Sequence, residues 1–232
     1  MPDASTFAGF PKELFAFYEG LERTNERLWF EQHRDEYERH VLSPARAFVT
    51  EMGERLRMIA PGVHADPRID KSIFRIYRDT RFSRDKRPYK THLGLWFWDG
   101  SRGRMDCSGF YIQIEPGEIF VGAGIYMFPR DLIETYRRAV VDDKLGARLA
   151  RAVDAVLESS KYRLGNKHYK RVPRGFDPEH PNAELLLHNG LHVGFSCRPP
   201  KVLHMPRFPD YCFEHFHAML PLHEWLRGLM EG

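Results

Sequence analysis

Two β-prone runs, Cys107 to Glu115 and Ile119 to Met127, flank the dipeptide Pro116-Gly117. The first carries Phe110, Tyr111, Ile112 and Ile114, and Pro-Gly is a strong turn signal, so the middle of the chain is committed to an antiparallel hairpin. Gly122 and Gly124 weaken the second strand and permit close backbone approach. Two further β-prone stretches precede the hairpin: Ser72 to Tyr77, and His92 to Trp98, the latter followed by a turn at Gly100 to Gly103. Another, Gly190 to Cys197, follows it.

On both sides of these strands the apolar period changes to that of a helix. Pro11 suits a first helical turn, and Leu14, Phe15, Phe17, Tyr18 and Leu21 form a stripe behind it. Thr24-Asn25 is positioned to cap a second helix bearing Leu28, Trp29, Phe30, Tyr37 and Val41. Pro44 restarts the chain as a third helix, which runs to Pro61-Gly62. After the hairpin, one helix follows Pro129, and a second is capped by Asp142 or Asp143. The basic, aperiodic stretch Lys161 to Pro181 reads as a long loop, and Pro209 to Met230 as a closing helix. Helices on either side of a run of strands predict an α+β fold, with an antiparallel sheet of about four to six strands covered by helices. One domain over residues 1–232 fits the length and the absence of an internal repeat.

Hydrophobic content of 42% and charged content of 29% are those of a folded globular chain, not a disordered one. No window approaches the ~20 apolar residues that a membrane span requires, and the N-terminus has no secretory h-region. Cys107, Cys197 and Cys212 are odd in number and far apart, which argues against a disulfide framework and for a reducing cytoplasm.

The charge is concentrated. Between Arg68 and Lys90, nine basic residues face three acidic ones, a net +6 in a chain of net +3, which leaves −3 elsewhere. Within this segment Arg75, Arg78, Arg81 and Lys86 are close enough in sequence to converge on an anion. Arginine supplies a planar fork for phosphate or carboxylate, and Asp79 can orient one such fork. Asp85, Tyr77, Tyr89 and Lys90 complete the candidate site, and Lys170-Arg171 in the later loop forms a second basic stretch able to fold over the first.

Three readings follow. The cluster binds an anionic small molecule. Alternatively, Tyr77, Phe82 and Tyr89 stack on nucleic-acid bases between the cations, although a pI near 8.7 and the acidic remainder weigh against this. Alternatively, Asp79 and Asp85 are internal counter-ions, and the motif is a network that knits a loop to its domain. Catalytic signatures are absent: there is no Gly-x-Ser-x-Gly elbow, no phosphate-binding P-loop and no dinucleotide fingerprint. His215-x-His217 near Cys212 and His223 lacks the spacing of a zinc site. No cofactor, reaction or oligomeric state is specified.

The run Arg75-x-x-Arg78-Asp79-x-Arg81-Phe82-x-x-Asp85-Lys86-x-x-Tyr89-Lys90 resembles the signature of a widespread bacterial family, domain of unknown function 2461. Asn25 with Trp29-Phe30, Phe110-Tyr111, and Lys170-Arg171-x-Pro173-x-Gly175-Phe176 extend the resemblance over nearly the whole chain. It implies a full-length single-domain member and implies no activity.

Overall fold

The structure, a computed structural model, describes residues 6–231. It is α+β, with an antiparallel sheet of six strands in the order β1-β2-β3-β4-β6-β5. The chain runs through helices α1 (Glu13–Arg23), α2 (Arg27–Gln32), α3 (Arg34–Tyr37) and α4 (Ser43–Leu56), then strands β1 (Val63–His64), β2 (Leu93–Asp99), β3 (Ser108–Glu115) and β4 (Glu118–Ile125). Helices α5 (Ile133–Val141) and α6 (Leu145–Leu157), strands β5 (Arg163–Leu164) and β6 (Leu191–Cys197), and helix α7 (Phe208–Glu231) complete it. No described helix is long and apolar enough to cross a membrane.

Two compact units divide these elements. One comprises Met1–Phe97, Tyr111–Phe120 and Ser196–Glu214; the other comprises Trp98–Phe110, Val121–Phe195 and His215–Gly232. In the first unit, Phe7, Phe10, Phe48 and Phe208 are each no more than 1% exposed. Their rings meet edge-on or tilted at centroid distances of 5.1 to 6.0 Å, the favourable aromatic geometry. In the second unit, Phe110, Tyr136, Phe216 and Trp225 are buried, and Phe110 packs against the His223 ring of a buried polar network. There Ser108 Oγ lies 2.9 Å from His223 Nδ1, and His223 Nε2 lies 3.1 Å from Asp99 Oδ2. All three residues are buried, so each must satisfy another.

Gly124 fits the close approach that its place in β4 suggests. Its φ is +128°, and a Cβ there would lie 2.4 Å from Leu191 O and 2.6 Å from His192 Cα on β6. Asp142 accepts from the backbone N–H groups of Lys144 and Leu145 ahead of α6, as its predicted capping role requires.

Three local expectations are corrected. Asn25 does not cap α2: the N-cap is Glu26, with no side-chain cap bond, and the Asn25 amide is engaged elsewhere. Pro44 does not restart the chain. Residues Glu38–Leu42 form a π-turn that leads directly into α4, with Pro44 in its first turn. A proline lacks the N–H and clashes with the carbonyl four residues back, and a widened turn accommodates both. Ser72 to Tyr77 is extended but is not a full strand. Besides a local Ile69–Ile73 bridge it makes the isolated bridges Ile73–Leu95 and Tyr77–Tyr89, between which three residues on one side span five on the other.

Candidate functional site

The basic segment forms an irregular hairpin in the first unit. Its base is a ladder in which Arg78 N donates to Pro88 O and Lys90 N donates to Ile76 O, both at 2.8 Å. At the bridging pair Tyr77–Tyr89, the backbone polar groups of Tyr89 face outward, away from the ladder. The Asn25 side chain meets them as a missing strand would: Tyr89 N donates to Asn25 Oδ1 at 2.9 Å, and Asn25 Nδ2 donates to Tyr89 O at 3.1 Å. The Tyr89 ring is 2% exposed and stacks on Phe30 of α2 at 4.6 Å. Tyr89 therefore anchors the hairpin and offers no stacking surface, which corrects its expected role. Tyr77 is 46% exposed at the edge of the same aromatic group.

Beyond this base the loop is organised by its two aspartates. Asp79 Oδ1 accepts from the backbone N–H of Arg81 at 3.1 Å and from its Nε at 3.0 Å, while Oδ2 accepts from Nη2 at 2.7 Å. Asp85 repeats the arrangement with Arg87, at 3.0 and 3.1 Å to Oδ1 and 2.8 Å to Oδ2. Asp85 Oδ2 also takes Arg78 Nη1 at 2.6 Å. Lys86 Nζ donates to Thr80 O at 2.9 Å. The charge-assisted bonds from Arg81 bring the Asp79 carboxyl down to about 2. Those from Arg87 and then Arg78 hold Asp85 lower still.

Arg78 and Arg81 each turn onto an aspartate of their own loop, and Lys86 onto a carbonyl. Two clefts among the described residues, of about 600 Å³ and about 520 Å³, are lined by none of them. Pairing does not exhaust an arginine, however, because each has five N–H donors in a fixed fork, and Arg81 spends only two N–H groups of its side chain on Asp79. Arg75 and Arg84 are exposed and make no hydrogen bond or ion pair with another described residue. Lys90 Nζ sits 5.2 Å from the Phe74 ring centroid. At the tip, Phe82 is 95% exposed, with the Arg81 guanidinium 5.7 Å from its ring centroid. Phe82 stood among the aromatics that sequence reasoning singled out, but only the structure separates it from the buried Tyr89.

The sequence profile of the conserved hypothetical protein family DUF2461 matches residues 13–225. The chain belongs to the DUF2461 family. No curated protein matches it. In this DUF2461 protein the later basic stretch, Lys170-Arg171, lies in the second unit, exposed and without an ion pair to another described residue. His92 lies just beyond the basic segment, where the sequence offers it as an acid or base but favours a packing or surface role; it is half-buried, and burial, followed by the charge of Lys90, lowers its pKa to about 4.

Proposed function

We propose that this DUF2461 protein binds single-stranded nucleic acid along its Arg75–Lys90 hairpin. Phe82 offers a face for a base, and the outer donors of Arg81, Arg84, Lys86 and Arg87 follow the phosphates. The observation that carries this reading is Phe82, which is 95% exposed at the tip of a loop whose turns carry Asp-Arg rings. The ring lies in water beside cations, the arrangement used by stacking platforms. The seven basic and two acidic residues from Arg75 to Lys90 supply a local +5 for the backbone.

The test is fluorescence anisotropy with a labelled single-stranded DNA across a salt series. Log affinity should fall linearly with log salt, by about 0.7 per phosphate neutralised. Phe82→Ala should cost about 1–3 kcal/mol of binding and leave the salt slope intact, whereas Arg84→Ala should flatten the slope. Absent binding at low salt, or an unchanged affinity for Phe82→Ala, refutes the proposal. A small-anion reading keeps one observation, the unpaired Arg75 guanidinium. It predicts instead that a free nucleotide stabilises the protein and that Arg75→Ala abolishes the effect. A cytoplasmic location fits the three free cysteines.

A further inference from the structure

The second unit contains a cleft unrelated to the hairpin. On one wall the chain leaves the sheet edge: Arg163 and Leu164 pair with Gly194 and Val193, and Gly165 N donates to His192 O at 2.9 Å. On the other wall, Ala183–Leu187 form a 3₁₀ turn. The walls are tied together where His168 N and Tyr169 N both donate to Leu187 O, at 2.8 and 2.9 Å. Between them lies a space of about 600 Å³ lined by Leu164, Asn166, Lys167, Glu184, Leu185 and His188, within the usual range for small-molecule sites.

Its chemistry is balanced in charge. Lys167 Nζ lies 3.1 Å from Glu184 Oε2, with side chains 47% and 81% exposed, and a pair this wet is held weakly and is easily exchanged for a ligand's charges. Burial, as the leading cause, lowers the pKa of both His188 and His192, so at neutral pH neither adds charge. A lone anion would face Glu184, and a lone cation would face Lys167. The floor is Gly165, whose absent side chain lets the backbone lie on His192, since a Cβ there would come 2.2 Å from His192 Cε1. Under it lies the His192 ring, whose Nδ1 is buried without a hydrogen-bond partner among the described residues.

We propose that this cleft binds an α-amino acid with an apolar side chain. Lys167 takes the carboxylate, Glu184 takes the ammonium, and Leu164 and Leu185 pack against the side chain. The cleft is independent of the hairpin and of any nucleic acid.

Calorimetric titration of the full chain with L-leucine, leucinamide and N-acetylleucine tests this. Leucine binds saturably, and removing either ligand charge weakens binding roughly tenfold or more. Lys167→Ala abolishes the preference for leucine over leucinamide, and Glu184→Ala the preference over N-acetylleucine. Both side chains are exposed, so both variants should melt as the parent does. Three results would each overturn the assignment: no heat from leucine well above about 1 mM, leucinamide binding as well as leucine, or unchanged leucine affinity in both variants.

Discussion

Replacing Asn25 with alanine should loosen the hairpin at its root. Among the described residues, the Asn25 amide alone hydrogen-bonds the backbone N–H and C=O of Tyr89, at 2.9 and 3.1 Å. Each such bond contributes about 1 kcal/mol net, and a half-buried group left without a partner costs somewhat more, so truncation should destabilise by about 2–3 kcal/mol. At roughly 2–4 °C per kcal/mol for a chain of this size, melting should fall by about 4–12 °C. Urea unfolding gives the free energy, with an unchanged denaturant slope showing that the unfolded state is not responsible. Hydrogen exchange at the Tyr89 amide, which should accelerate before its neighbours, gives the location. Asn25→Asp separates hydrogen bonding from packing. It keeps an acceptor for Tyr89 N but sets an oxygen against Tyr89 O, a clash that protonating the introduced carboxyl relieves. That carboxyl's pKa is therefore raised in the folded state, and the variant should regain stability as pH falls through the raised value. A loss below about 0.5 kcal/mol for Asn25→Ala, or slow Tyr89 exchange in that variant, would refute the clamp.

Phe82→Ala should leave thermal stability within about 0.5 kcal/mol of the parent while impairing DNA binding, because a ring this exposed contributes little to the folded core; differential scanning fluorimetry alongside anisotropy checks both halves. Gly124→Ala should destabilise by about 3 kcal/mol or more, since the backbone is at +128° and the new Cβ would overlap Leu191 O, and a melt close to the parent's would count against the β4–β6 packing described here. Stability should fall as pH drops from about 6.5, the unfolded value, towards about 4. His92 and His215 are held neutral down to about 4 in the folded state, by burial first and then by Lys90 and Lys161 respectively, so only the unfolded chain takes up their protons in that window. His215 is also bonded by Tyr162 Oη at 2.8 Å, and a His215→Gln variant whose urea midpoint tracks the parent's at every pH would contradict its share.

The elements that the sequence exposed are those whose signal is local. The β3–β4 hairpin follows from its apolar runs and Pro-Gly turn, α6 from Asp142, and α7 from an apolar stretch long enough to need no cap. What stayed hidden depends on distant partners. Val63–His64 is too short to carry a period, and Arg163–Leu164 becomes a strand only because β6 lies beside it. Asn25 looks like a helix cap from its neighbours, yet its amide bonds a residue 64 positions away. Leu28 falls within an apolar helical set but is 69% exposed. The same limit applies to the site. The composition of Arg75 to Lys90 identifies a cationic loop, but whether its arginines face a ligand or an aspartate depends on backbone angles that composition does not set.

One regularity connects the loop's charge to its shape. The spacing Asp-x-Arg occurs at Asp66–Arg68, Asp79–Arg81 and Asp85–Arg87, and all three form the same ring. In each, Oδ1 accepts both the backbone N–H and Nε of the arginine two residues on, and Oδ2 accepts Nη2. A loop of like charges would otherwise repel itself into an extended, mobile form. Each aspartate offsets one charge and fixes one turn of backbone, while the outer edge of its guanidinium remains available. Arg84 falls between two rings and belongs to neither, and Phe82 directly follows the arginine of the second. Internal ion pairing therefore does not use up this motif: the pairs shape the turns of the loop while Phe82 and Arg84 stay exposed.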